Sequence, residues 1–377
     1  MKYINAVLIS VVFLWGCQTN DPLNEKIENS VRFDLSNAQQ AQLTEDADFL
    51  IGSGKTVNSI GAIAADKSGK IFLINKHRKR IEVYAGSGER ISKMGGVGND
   101  RGDFQNPVYL KVIGDKLYAY DQSLLRAYSY NTASYELQSA TDFSQLPNNL
   151  KVDSLSDTQP NKFLVSKEGT FLVGFQKVES PKKRQLFFYR IDKEGEVISD
   201  QLMSFNNKSL HVDDVVDPPL IMMLPYEPET LVRVDSKNNI YTVFTEHFLI
   251  SVQDSTGQNI ASRYYPFERY DLIRSDAIDL YEDTFQRRAI RRASIPEKWP
   301  AISKMLIDDK DRIWVATIFS DLNAFRWFVL NSNGKPLATF ELSRSEEIRV
   351  IKDDFIYVKE YNRNTYSDQI KRYRFTY

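Results

Sequence analysis

The chain has 377 residues, of which 42% are hydrophobic, 26% charged and 12% aromatic, a globular composition that excludes a disordered, collagen-like or coiled-coil chain. Its 49 basic and 50 acidic side chains leave a formal charge of −1, so no net field points to nucleic acid or to an anionic lipid surface. One cysteine and three widely spaced histidines exclude an intrachain disulfide framework and a multi-cysteine or histidine-rich metal centre, and no cofactor is expected.

Met1-Lys2 precede an apolar run from Tyr3 to Trp15, which ends in Gly16 and Cys17. A short positive start and an apolar segment of this length read as a secretory signal. The polar residues Gln18-Thr19-Asn20-Asp21 arrive before the ~20 apolar residues that a spanning helix needs. The segment Leu14-Trp15-Gly16-Cys17 resembles the lipobox of bacterial lipoproteins. That resemblance implies a signal peptide over residues 1–16, a diacylglyceryl group on the Cys17 thiol, and acylation of the amino group freed by cleavage. Two or three acyl chains give stable anchoring where one does not. Gln18 differs from the aspartate that retains enteric members in the inner membrane, so the resemblance implies outer-membrane attachment in the bacterial cell envelope. Residues 17–30 are polar and aperiodic and read as a tether.

From residue 31 onward one template repeats: an alternating apolar strand, a tight polar turn, a second strand, a loop, a third strand and another turn. Six copies open at Ile60, Leu110, Phe163, Leu231, Met305 and Ile348. In the first, residues 60–65 lead through Asp66-Lys67-Ser68-Gly69 to residues 71–74, then 81–84, Gly86-Ser87-Gly88 and Arg90-Ile91. Gly and Asn accept the positive φ of tight turns, and β-branched and aromatic residues favour the strands between them. Each unit is a small four-stranded antiparallel sheet with two apolar faces, and arranging the units around an axis covers both. The expected fold of residues 31–377 is therefore all-β, a six-bladed β-propeller. Tyr118, Phe188, Tyr241, Trp314 and Tyr357 recur within the strands as expected inter-blade core.

The sixth copy lacks an outermost strand, whereas Val31-Arg32-Phe33-Asp34-Leu35 is an alternating strand that belongs to no copy. It is expected to pair with Lys371–Phe375 and close the ring, leaving no open sheet edge. Gly95-Gly96-Val97-Gly98 and Arg101-Gly102-Asp103-Phe104-Gln105-Asn106-Pro107 resemble the glycine-rich blade linker of NHL-repeat proteins. With the six strand patterns, the chain resembles the six-bladed β-propeller lipoproteins of that NHL-like group over about residues 31–377. Two insertions depart from a minimal blade. Residues 199–228, with Asp217-Pro218-Pro219 and Pro225, read as an extended loop. Residues 275–293 read as one inserted helix capped by Ser275, with acids early and Arg287, Arg288, Arg291 and Arg292 late, as the helix dipole favours. Its face of Ile278, Tyr281, Phe285 and Ala289 should pack on the ring.

Motifs for catalysis are sparse. Gly52-Ser53-Gly54-Lys55-Thr56 lacks the first glycine of a phosphate loop, since Phe49 stands there, and Arg101 replaces the third glycine of a dinucleotide fingerprint after Gly96 and Gly98. His77, His211 and His247 fall in separate units, and Asp308-Asp309-Lys310-Asp311 reads as a turn rather than a calcium loop. The basic clusters Lys76-His77-Arg78-Lys79-Arg80, Lys182-Lys183-Arg184 and the helix arginines could hold an acidic glycan or a phospholipid headgroup, or could simply be solvated. The least generic features, Lys76, His77, Arg78, Arg287, Arg291 and Trp299, are the candidate ligand-binding residues; no catalytic or metal-ligating residue stands out. The sequence thus points to a monomeric, lipid-anchored binding or protein-interaction module of the envelope. Its partner is an unidentified ligand or envelope protein, with no nucleic acid. The alternative is a propeller lyase or hydrolase acting on a carbohydrate or peptide, which would need convergent carboxylates or a histidine with a metal near the axis.

Overall fold

The computed structural model describes residues 22–52, 59–144, 146, 157–166, 169–215 and 219–377. Cys17, the signal segment and residues 53–58 lie outside them. A helix, α1 (Pro22–Glu28), takes up part of the expected tether and lies against the fourth blade. Three N-terminal strands follow: β1 (Val31–Arg32), β2 (Gln39–Gln40) and β3 (Gln42–Ile51). Blade one comprises β4–β7 (Ile60–Ala65, Ile71–Asn75, Arg80–Tyr84, Arg90–Met94). Blade two comprises β8–β11 (Pro107–Ile113, Lys116–Asp121, Arg126–Asn131, Leu137–Asp142). Blade three comprises β12–β15 (Gln159–Val165, Phe171–Val178, Arg184–Ile191, Met203–Asn206), and a hairpin, β16 (His211–Asp213) and β17 (Leu220–Met222), follows it. Blade four is built on β18–β21 (Thr230–Val234, Ile240–Phe244, Leu249–Gln253, Asn259–Tyr264). Blade five is built on β22–β25 (Ile302–Ile307, Ile313–Thr317, Ala324–Leu330, Pro336–Ser343), and blade six on β26–β28 (Glu347–Lys352, Phe355–Asn362, Ser367–Thr376). Within each blade the strands run antiparallel, each hydrogen-bonded to the next in sequence.

One local device recurs at six of the turns. Asp66, Asp235 and Asp308 end the first strand of blades one, four and five; Asp192, Asp254 and Asn331 end the third strand of blades three, four and five. Each accepts, through Oδ1, the backbone N–H groups two and four residues on, as Asp308 does from Lys310 at 2.9 Å and Arg312 at 2.8 Å. The fourth turn residue then has positive φ, and it is Gly69, Gly195, Gly257, Gly334, Asn238 or Asp311. These residue types tolerate that conformation. The acidic run Asp308–Asp311 is one of these turns, as its sequence suggested.

Six apolar clusters among the described residues fill the six blade interfaces. Phe72 and Tyr128 meet between blades one and two, Tyr120 and Phe163 between two and three, and Phe188 and Val232 between three and four. Tyr241 and Phe328 meet between four and five, Trp314 and Phe375 between five and six, and Tyr357 and Ile63 between six and one. The ring is therefore continuous. All five recurrent aromatics are buried, four of them on the second strands, with Phe188 on the third.

The closing strand is not the one expected. Residues 31–35 do not reach the C-terminal strand: Val31 and Arg32 pair in parallel with Arg263 and Tyr264 on the outer edge of blade four, and Phe33 stacks on Tyr265 at 5.5 Å. Gln39 and Gln40 pair in parallel with Ala338 and Thr339 on the edge of blade five. The ring is closed by β3, which pairs antiparallel with β28 from Ile51↔Ile370 to Gln42↔Thr376. The physical reason is reach into the core. Phe49 and Ile51 of β3 are buried in the interface of blades six and one, whereas Val31 is exposed. The N-terminal segment is thus a strap around the outside of three blades.

The insertions also differ. The expected extended loop contains β15, the outer strand of blade three, and the β16–β17 hairpin. The single helix expected over 275–293 is two: α2 (Arg274–Asp279) and α3 (Thr284–Arg292). One of the early acids explains the break, because Asp283 accepts from Gln286 N at 2.9 Å and caps α3, while Ile273 rather than Ser275 sits at the cap of α2. Arg274 donates to the carbonyls of Ile290 and Ala293 and ties the two helices together.

Candidate functional site

Every blade presents its first strand to the ring axis, and these strands enclose a cavity of about 740 Å³ lined by residues of all six blades. It runs from Thr230 at the start of β18 to the turns that follow the first strands. The helical insertion enters blade five at the other end of its first strand, so the insertion and the turns that follow the first strands lie on opposite faces of the ring.

Six lysines and arginines line the cavity against four aspartates. The aspartates sit in the turns that follow the first strands, and hydrogen bonds engage each of them. Asp235 accepts from Lys237 N, Asn239 N, Asn239 Nδ2 and Tyr241 Oη. Asp308 accepts from Arg312 Nε at 2.6 Å and Trp314 Nε1 at 2.8 Å. Asp309 pairs with Lys352 at 2.8 Å, and Asp311 accepts from Ser236.

The cations deeper in the cavity are less well matched. Lys111 on β8 donates to the Val165 carbonyl at 3.3 Å, and Arg233 on β18 donates through Nη1 to the Val232 carbonyl at 2.8 Å. Lys162 on β12 makes no hydrogen bond or ion pair among the described residues. Burial holds the Lys111, Lys162 and Arg233 side chains below their ordinary pKa values, although Asp235 and Asp311 pull Lys111 back and Glu229 pulls Lys162 and Arg233 back. Glu229 is itself shared with Lys208 at 3.6 Å. Beside these groups, the Tyr109 hydroxyl accepts from Val165 N at 3.2 Å, and burial pushes its pKa up to about 12. Three adjacent blades therefore aim donors inward from a poorly hydrated wall, and an ammonium or guanidinium in that state gains most from an incoming carboxylate or phosphate.

None of the six candidate ligand-binding residues lines this cavity. Lys76, His77 and Arg78 lie exposed on the turn between β5 and β6, where Arg78 sits 3.8 Å from the buried Glu82 carboxylate that Arg80 also binds at 2.7 Å. On α3, Arg287 pairs with Asp279 at 3.3 Å, Arg288 and Arg292 approach Asp213 of the β16–β17 hairpin at 3.7 and 3.2 Å, and Arg291 is exposed. Trp299 is fully buried in the core between blades five and six, with its ring 6.4 Å from Tyr226 and 5.9 Å from the Arg344 guanidinium. Arg344, pushed down to about 10 by burial, also lies 4.5 Å from the Phe325 ring centroid.

Sequence inspection missed Lys111, Lys162 and Arg233 because each is a single polar residue at an alternating strand position, which ordinarily means a solvated face. Aligning the copies at the turns after their first strands shows the signal: Arg233 lies two residues before Asp235, and Lys162 four residues before Ser166.

No protein-family model matches the chain, and no curated protein matches it. Solved structures do. A Bacteroides fragilis protein described as exported is 10% identical, with a TM-score of 0.52 over 92% of this chain and 99% of that one. A member of the DUF4221 family from Bacteroides vulgatus is 10% identical, with a TM-score of 0.53 over 90% of this chain and 98% of that one. The shared property is the fold. The chain is a six-bladed β-propeller.

Proposed function

We propose that the protein is a lipid-anchored propeller of the bacterial cell envelope, similar to the NHL-like group, that binds an anionic ligand in its axial cavity. The observation that carries this reading is the convergence of Lys111, Lys162 and Arg233 from three neighbouring blades with more donors than acceptors to receive them. A shared depression to which every blade contributes suits ligand recognition, since rigid strands fix the donors before the ligand arrives. The envelope location is supported by the signal-like start and the Leu14-Trp15-Gly16-Cys17 segment, and it agrees with the exported description of one structural neighbour.

Two measurements test the two parts. Calorimetric titration of the full-length protein with acetate and inorganic phosphate should show saturable binding that Arg233→Met weakens at least tenfold, the order expected when one charge-assisted hydrogen bond is lost. The affinity should fall as the pH rises. The ligand favours protonated lysines, and Lys111 and Lys162 lose their protons below the ordinary lysine range. Binding that ignores both the substitution and the pH would count against the cavity. For the anchor, Cys17→Ser should move the protein from the membrane to the soluble fraction, and retention on membranes would refute lipidation.

A further inference from the structure

The two halves of the axial cavity differ in chemistry, and the difference specifies the ligand class more closely than charge alone; this step rests on the anion-binding reading of the cavity. Ring order follows from the contacts between first strands, so blades two, three and four face blades five, six and one across the axis. The first half carries Lys111, Lys162, Arg233 and the Tyr109 hydroxyl among half-buried Val112, Ile113, Leu164 and Leu231. The second half presents Leu306 and Ile307 from blade five, Val350 from blade six, and Ile63 and Ala65 from blade one.

Cations in the second half pair with a carboxylate or lie at the rim, with Glu347 shared by Arg349 and Lys304 and Arg349 Nε left without a hydrogen bond among the described residues. Arg349 pairs with Glu347 at 2.7 Å, Lys352 pairs with Asp309 at 2.8 Å, and Lys67 is exposed on its turn. Leu306, Ile307 and Val350 are only half-buried although they lie inside the ring, so apolar surface faces the cavity. A cavity of about 740 Å³ is far larger than one acetate or phosphate requires and falls within the size range of pockets for whole small molecules. An inorganic ion on the basic wall would leave the apolar wall wet.

We infer that the ligand is an amphipathic anion: one carboxylate or phosphate group, held by Lys111, Lys162 and Arg233, joined to an apolar body that covers Leu306, Ile307 and Val350. The head supplies the acceptors that the basic wall lacks. The body supplies the burial that the opposite wall lacks.

The test compares octanoate with acetate, and octyl phosphate with inorganic phosphate, by calorimetric titration of the full-length protein at constant ionic strength. Octanoate should bind on the order of 100-fold more tightly than acetate, an advantage smaller than full burial of six added methylenes would give because ordering the chain offsets part of it. The preference between the carboxylate and phosphate pairs identifies the head group. Leu306→Asn should remove most of the chain-length advantage while leaving acetate binding intact, and Arg233→Met should weaken both ligands. Val350→Thr, which conserves shape, makes the same measurement should Leu306→Asn fail to fold. Equal affinities for acetate and octanoate, both dependent on Arg233, would overturn the amphipathic assignment and leave the anion site standing. Absence of binding by every one of the four probes would overturn both.

Discussion

Replacing Asp308 with alanine should lower the free energy of unfolding by about 3–5 kcal/mol, the cost of stripping one partner from a buried ion pair. The Asp308 carboxylate is fully buried and serves four donors at once: the backbone N–H groups of Lys310 and Arg312, Arg312 Nε and Trp314 Nε1. It therefore shapes the turn, fixes an arginine whose side chain is only 8% exposed, and orients a tryptophan in the interface of blades five and six. Without it, Arg312 keeps Asp354, at 2.8 Å, a side-chain interaction with Tyr377, and the rings of Trp314 and Phe375 that flank it. Asp308→Asn separates the two roles. An amide oxygen still accepts from the turn but cannot neutralise Arg312, so this variant should fall between wild type and alanine in urea unfolding followed by tryptophan fluorescence. Asp354 adds an acid limit to the same network. Burial raises its pKa, but hydrogen bonds from Lys310 and Arg312 outweigh burial and leave it below 3.8. Its contribution is therefore complete above 3.8 and is lost as the pH falls through the lower folded value.

The fold was legible because its punctuation is local. An Asp or Asn followed three residues later by Gly, Asn or Asp records a turn whose hydrogen bonds and positive φ need no tertiary information, and such turns ended strands in blades one, three, four and five. Strap and closure were less legible. Residues 42–51 read Gln-Leu-Thr-Glu-Asp-Ala-Asp-Phe-Leu-Ile, and Glu45, Asp46 and Asp48 mask the strand until Arg372 is seen to bind Asp46 at 2.9 Å. A register shift between Lys371 and Tyr373 further breaks the alternation. Residues 31–35 alternate cleanly but have only a peripheral task, so pattern strength misranked the two segments. The cavity was illegible for a different reason. Lys111, Lys162 and Arg233 belong to three blades far apart in sequence, and only ring closure brings their strands to one axis. Conversely, Arg78, Arg287 and Trp299 drew notice as local clusters. In the structure, Arg78 and Arg287 lie beside acids, and Trp299 lies in the core, as residues in such clusters commonly do.

Removing residues 1–51 should abolish cooperative folding, whereas removing residues 1–41 should leave a folded ring. The longer deletion takes away β3, and with it the partners of β28 along its length, from Ile51↔Ile370 to Gln42↔Thr376. It also extracts Phe49 and Ile51 from the interface of blades six and one, about 1.5–3 kcal/mol of apolar burial for each side chain. It strips Arg372 of its carboxylate partner Asp46 and of the Phe49 ring 4.3 Å away, leaving it the Gly86 carbonyl and the Phe355 ring. The exposed C-terminal strand would then be an unpaired edge, a template for association with a second chain. The shorter deletion costs α1, two pairs of parallel edge contacts at Val31-Arg32 and Gln39-Gln40, the stack of Phe33 on Tyr265, and the outer packing of Leu35, Ala38 and Ala41 on the clusters of blades four to six, but it leaves the pairing of β3 with β28 intact. Gel filtration and thermal unfolding separate the outcomes: a cooperative monomer for the shorter deletion, aggregate or a non-cooperative transition for the longer one. Trp314 reports the same event, because its ring lies 4.7 Å from Phe375, the residue that pairs with Leu43 of the closing strand. A cooperative monomer lacking residues 1–51 would mean that inter-blade packing alone holds the ring shut, and closure by β3 would then be a minor term in its stability.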